Sequence, residues 1–241
     1  MYNTCGTFIS MSTTKPICLF LSLCALLCTL SGLAQTDISN KGIVVNQVTG
    51  DVHYIPQRGE IQGSPFLFED WLPGALIMRS GRVQMEPFIK FEVYGNKFVV
   101  SRNDTSYEVG PDVMEVRLYR EGKRADTLVF RRGFTGLPRL GTQGFVQVLA
   151  SGKLNFIKVH RMELDEVKEY NNANKIIRFR SVHEYGISRH GVIEAIQLNK
   201  NELIQISNEK RNEVAAFVAQ EKLNGKDEKS WAATIAYLNK L

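Results

Sequence analysis

Between about Ala75 and Leu198, apolar and polar residues alternate in short runs, the period of two that turns one strand face to a core and the other to water. Val83 and Met85 alternate with Arg82, Gln84 and Glu86, and Ile89, Phe91 and Val93 with Lys90, Glu92 and Tyr94. Met114, Val116 and Leu118 repeat the pattern, as do Leu128 and Phe130. Gly95-Asn96 sits between two such runs and suits a two-residue hairpin loop. Ser80-Gly81, Asn103-Asp104, Glu121-Gly122-Lys123 and Ser151-Gly152 mark further reversals. Connections this short force antiparallel neighbours, because a parallel pair needs a crossover of roughly a dozen residues.

Glu163 to Lys175 is polar and reads as a loop or a short exposed helix. Strands resume at Ile176 to His183 and at Gly191 to Leu198, with a tight turn near Gly186 to Gly191. From Asn199 the period changes. Leu203, Ile204 and Ile206 open a helical turn, and Val214, Phe217, Val218 and Leu223 follow at spacings that share one helix face. Asn208 stands where a cap is expected, Asn224-Gly225 supplies a stop, and Trp231, Ile235 and Leu238 form a second stripe. The pattern predicts an α+β fold: an antiparallel β-meander, as an open sheet or a partly closed barrel, followed by a C-terminal helical hairpin.

The N-terminus changes the picture. Lys15 is the only charge before an apolar run from Ile17 to Leu30, a length suited to the core of a secretory signal and short for a membrane span. Ser31-Gly32-Leu33-Ala34 places small residues for cleavage before Gln35, and Met11 would start a signal of ordinary length. The chain then divides into a signal peptide over 1–34, an extended segment over 35–74, the β domain over 75–198 and the helical segment over 199–241. Cys5, Cys18, Cys24 and Cys28 all lie in the removable part. The expected mature chain therefore has neither a disulfide nor a thiol nucleophile and stands on its hydrophobic core. Its expected location is the periplasm or the outer membrane, with release to the medium as a further route and no transmembrane span retained. The formal net charge of +5 is dispersed, without the block of like charge that marks a nucleic-acid partner.

Gly63-Ser64-Pro65-Phe66-Leu67, followed by Glu69, Asp70 and Trp71, is the most distinctive short segment. With the Gly144-Phe145 strand, the Ser151-Gly152 turn and the tail ending in Tyr237-Leu238-Asn239, it resembles a broad set of uncharacterised exported proteins of Gram-negative bacteria. That resemblance implies an envelope location and a shared fold, and it transfers no catalytic residue. The aromatic opener itself reads as a plug for one end of the β-core, with a docking strip as the alternative.

Chemistry is sparse. Gly133, Gly136, Gly141 and Gly144 punctuate a segment that carries Arg131, Arg132, Phe134 and Arg139, the residues best placed to hold an anionic ligand from a loop. The spacing is neither a P-loop nor a dinucleotide fingerprint. His183, His190 and Glu194 flank a predicted turn and form an alternative site, should the strands bring His183 near Glu194. His53 and His160 complete the histidines outside the signal, and none has metal-motif spacing. No Gly-x-Ser-x-Gly elbow is present, and no motif calls for a cofactor. The functional expectation is a non-catalytic envelope protein that binds another protein, a lipid or a glycan. A secreted hydrolase acting on glycan or peptide and a periplasmic carrier of a hydrophobic ligand are the alternatives.

Overall fold

The computed structural model describes residues 49–52, 61–120, 126–168 and 175–241. Its strands are β1 (Thr49–Val52), β2 (Ile61–Gln62), β3 (Leu72–Met78), β4 (Val83–Glu92), β5 (Lys97–Arg102) and β6 (Thr105–Val109). They continue as β7 (Val113–Tyr119), β8 (Thr127–Arg131), β9 (Val146–Ala150), β10 (Leu154–Lys168), β11 (Lys175–Arg189) and β12 (Val192–Ile196). One sheet holds them in the order β1-β6-β5-β4-β3-β7-β8-β9-β10-β11-β12, with β2 parallel to β11. All other pairs are antiparallel and the sheet is open, as the short connections require. Residues of the 35–74 segment thus join the sheet, β1 against β6 and β2 against β11.

The sheet curls over on itself. β4 and β10 are five steps apart in strand order, which would separate them by about 24 Å in a flat sheet. Yet the rings of Phe91 on β4 and His160 on β10 lie 6.3 Å apart, and Phe91 and Phe98 each meet Phe130 of β8 at 5.1 and 5.2 Å. Phe98 also abuts Phe145 edge-on at 4.9 Å, so packed aromatic rings fill the inside of the curl.

Several reversals differ in detail from the sequence reading. The turn at Gly95-Asn96 spans four residues, Val93 to Asn96, with Asn96 in the left-handed region at φ 52°. Two-residue turns occur instead at Asn103-Asp104, both with positive φ, and at His190-Gly191. β11 runs through Gly186, where a Cβ would sit 2.4 Å from Ile193 Cγ2, so that glycine serves a close strand approach and not a turn. Glu121-Gly122-Lys123 lies outside the described residues.

Val83 and Met85 point outward and are more than half exposed, against the alternation that placed them in the core. The register between β3 and β4 explains the reversal: Leu72 faces Ile89 while Gly74 faces Glu86, so β4 carries an extra residue beside Pro87. A bulge of one residue flips the parity of everything before it, and proline, lacking an N–H, suits that position. Gln84 and Glu86 consequently turn inward, where Glu86 accepts from Gln84 Nε2 at 2.5 Å and pairs with Arg102.

The described part of the polar stretch, Glu163 to Lys168 and Lys175, is strand, since β10 continues to Lys168 and pairs residue for residue with β11, and 169–174 lie outside the described residues. Cross-strand and same-strand ion pairs hold it. Arg161 meets Glu163 at 2.8 Å and Glu184 at 2.7 Å, while Arg180 meets Glu163 at 2.5 Å and Asp165 at 3.7 Å. Charge complementarity across the ladder replaces the apolar face that the sequence reading looked for.

The tail forms α1 (Lys200–Gln205), α2 (Arg211–Gln220) and α3 (Glu228–Leu238). Leu203, Val214, Val218, Trp231 and Ile235 bury themselves against Phe156 and Ile187 of the sheet. Asn208 opens a 3-10 turn and caps no α-helix with its side chain. Capping falls to Asn199, whose Oδ1 accepts from Glu202 N at 2.8 Å, and to Asp227, which accepts from Ser230 N at 2.7 Å. α2 ends at Gln220, and Lys222, in the left-handed region, closes it with Leu223 N donating to Val218 O, before Asn224-Gly225 is reached. Asn239 exchanges two 2.8 Å bonds with the backbone of Leu154, hooking the end of the tail onto the β9–β10 turn.

Candidate functional site

The glycine-rich connection from Arg132 to Phe145 is the feature around which the clefts form. It is packed, not loose: Phe134 is buried with Val146, Val148, Ile157, Val159 and Ile193, and Leu137 and Leu140 pack against the same group. Thr135 N donates to Gly191 O at 2.9 Å and Ile193 N to Thr135 O at 2.7 Å. Gly136, at φ 97°, passes so close to Ile193 that a Cβ would lie 2.3 Å from its carbonyl oxygen. Gly133 N closes the neck on Thr142 O at 3.0 Å. The exit is held by Asn96, which accepts from Phe145 N at 2.6 Å and donates to Phe145 O at 3.0 Å.

This ordered loop divides two open clefts. The larger, about 620 Å³, lies between the β4–β5 turn, Leu137 to Leu140 of the loop, and β10 from Val159 to Glu163, with Glu184 beyond. The smaller, about 510 Å³, lies on the other side, among Arg132, Gln143 to Phe145, Asn96 to Phe98 and Glu108 to Pro111. β9 pairs with β10 only as far as Lys158. Among the described residues no strand covers that edge of β10 from Val159 to Lys168, and the larger cleft opens onto it.

The expected anion-binding residues are shared out and not brought together. Arg131 is held by Glu115 and donates to Ser151 Oγ at 3.0 Å. Arg132 lines the smaller cleft, Arg139 the larger, and Phe134 lies in the core. Burial opposes charge on Glu115, but Arg131 and Arg117 outweigh it and hold its carboxyl below the ordinary value.

His183, His190 and Glu194 are likewise dispersed. Glu194 stands opposite Ile187 and 3.5 Å from Arg189, and His190 occupies the turn. His183 faces His160 across the β10–β11 ladder, the rings perpendicular at 5.0 Å. His53 lies outside the described residues.

His160 is the residue that spacing alone could not single out. Its Nε2 lies 2.7 Å from Gln147 Oε1, and its Nδ1 is buried without a partner among the described residues. Burial, then Lys158 and His183, push its pKa down to about 3, so the imidazole is neutral. Partial desolvation and Lys158 lower His183 as well. Lys158 in turn pairs with Glu228 at 2.7 Å, and Tyr185 Oη donates to the same carboxylate oxygen at 2.8 Å. Desolvation and that bond keep Tyr185 protonated. This polar row is engaged in fixing α3 to the sheet. Among the described residues, no three His, Cys, Asp or Glu side chains gather as a metal cage, and no helix is long and apolar enough to cross a membrane.

The carboxylates beside the larger cleft, Glu163 and Glu184, are neutralised by Arg161 and Arg180. Arg139 stands exposed at its rim. What the cleft offers a ligand, among the described residues, is a backbone edge that no strand covers, a few apolar walls and the exposed Arg139. Compared with protein-family models, curated proteins and solved structures, the chain matches none.

Proposed function

We propose that this chain is an exported, non-catalytic protein of the bacterial envelope that binds an extended segment of a partner protein along the edge of β10. The observation that carries this reading is that, among the described residues, no strand covers the edge from Val159 to Lys168, which opens into the cleft between the β4–β5 turn and the glycine-rich loop. Backbone donors and acceptors in a row are satisfied by another extended backbone, and side-chain pockets beside the row select its sequence. The ion pairs of Arg161, Glu163 and Asp165 suit such an edge, because charge discourages indiscriminate strand pairing. Arg139 favours an acidic side chain in the bound segment.

A binding role fits the cleft better than hydrolysis does, since its carboxylates are tied in ion pairs and its histidine is neutral and bonded to Gln147. It also fits better than a carrier role, since Phe91, Phe98, Phe130 and Phe145 occupy the inside of the curl. The test is site-specific photo-crosslinking in the native host with the reactive group at Met162, in the cleft, and at Asn212, on the exposed side of α2. A discrete protein adduct at Met162 and none at Asn212 is expected. Equal yields at both positions, or none at Met162, would sink the reading. Intact-mass measurement of the same material, with Gln35 as the first residue, tests export.

A further inference from the structure

Arg132 presents a problem that the edge-binding reading leaves untouched. Its guanidinium sits over the ring of Phe145, with Cζ 3.9 Å from the centroid, and Phe145 is itself only 2 % exposed. One face of the cation is therefore dry. Among the described residues, Nε is buried without a hydrogen-bond partner, and Nη1 has a long 3.4 Å bond to Gln143 Oε1.

A partly buried cation is normally matched by a carboxylate, because removing it from water costs more than unpaired packing returns. Arg132 has no such match among the described residues. The opposing charge that acts on it, Glu108, pairs with Lys97 at 2.8 Å, and Arg79 adds further positive potential. Desolvation accordingly holds Arg132 down to about 10, with Glu108 opposing and Arg79 reinforcing the shift. Arg131, one residue earlier, shows the contrast, since it is held by Glu115.

Position adds to the case. The unmatched cation lines the cleft of about 510 Å³, beside the Gln143 side chain and the backbone of Gly144 and Phe145. Its ring support is locked, since Asn96 fixes both backbone groups of Phe145. A planar fork on a rigid aromatic base, with an open side toward solvent, is suited to a planar or tetrahedral oxyanion.

We infer that the smaller cleft binds a small oxyanion, a carboxylate or a phosphate, through Arg132 seated on Phe145, with the Gln143 amide as a second donor. The site is separate from the β10 edge, on the opposite side of the glycine-rich loop, and either can fail without the other.

The test is an NMR titration of the purified protein with acetate and, separately, with inorganic phosphate, following the Arg132 Nε–H resonance and the backbone amides of Gln143 to Phe145. Saturable shifts of these signals with one probe or both are expected, and the stronger probe identifies the chemistry. Loss of the charge-assisted bonds in R132Q should weaken binding by about ten- to a hundredfold, while R132K, a point charge without the fork, falls between. An Arg132 Nε–H signal that stays put or drifts without saturation as both probes are raised overturns the inference in the wild-type protein, whether or not R132Q folds. Equal affinity in a folded R132Q overturns it too.

Discussion

His160 is held neutral inside the curl, between the rings of Phe91 and Phe130, and this sets a pH dependence. The unfolded chain binds a proton at this histidine below about pH 6.5, whereas the folded one resists until about pH 3. Stability therefore falls as pH drops through that window, by at most about 1.4 kcal/mol per unit from this group. Urea unfolding at pH 7 and pH 5 should show a smaller loss in His160→Gln than in the wild type; equal losses would show that His160 does not supply the slope. Glu115 behaves as a depressed carboxylate. Its pairing with Arg131 and Arg117 is fully present above its unfolded pKa and is lost as pH falls through the lower folded value. Glu115→Gln should cost about 2 kcal/mol at pH 7, and the difference from the wild type should shrink in acid, read as converging urea midpoints.

Among elements, the glycine-rich loop and the β4–β5 turn act as one device, because Asn96 ties the exit of the first to the tip of the second. Asn96→Gly keeps the positive φ without strain and removes both side-chain bonds, so it isolates their worth. The expected loss is about 1 to 2 kcal/mol, with faster hydrogen exchange at Phe145 and little change at Gly136 or Ile193. Exchange at Phe145 as slow as in the wild type would show that the loop is held by its Phe134 anchor alone. Much of these elements was legible beforehand: the alternation placed most strands, and the turn residues at Asn103-Asp104 and Ser151-Gly152 stand at real reversals. The long β10–β11 hairpin was not legible, since its outer half carries charge where the pattern of a half-buried strand demands apolar residues. The cross-strand ion pairs that match it, Arg161 with Glu184 and Arg180 with Glu163, join residues far apart in the chain.

At the scale of the molecule, one face of the curled sheet is closed at one end by the helical tail, through Trp231 and Ile235 on Phe156 and Ile187. Trp231 is fully buried, stacks 5.7 Å from Phe156 and donates from Nε1 to Gly225 O at 2.8 Å. Trp231→Ala should cost about 3 to 5 kcal/mol. A chain ending at Asn199 should expose Phe156 and Ile187, bind a hydrophobic dye and lose its cooperative thermal transition. A sharp transition at the wild-type temperature would mean that the sheet closes its core without the tail. The two clefts belong to this scale as well, because each gathers residues from at least three segments of the chain.

The sequence by itself determined where most of the chain is extended, where it reverses and where it turns helical, because period and turn chemistry act over a few residues. It also set apart an N-terminal segment that holds every cysteine. Which face of a strand is buried was decided only in three dimensions. One added residue at Pro87 inverts Val83 and Met85 relative to Ile89 and Phe91, and local alternation cannot register that shift. The same holds for the site: Arg131, Arg132 and Arg139 are near neighbours in the chain, yet the fold gives the first a carboxylate and the other two different clefts. Whether a charge is matched depends on long-range register, and register is a property of the assembled sheet.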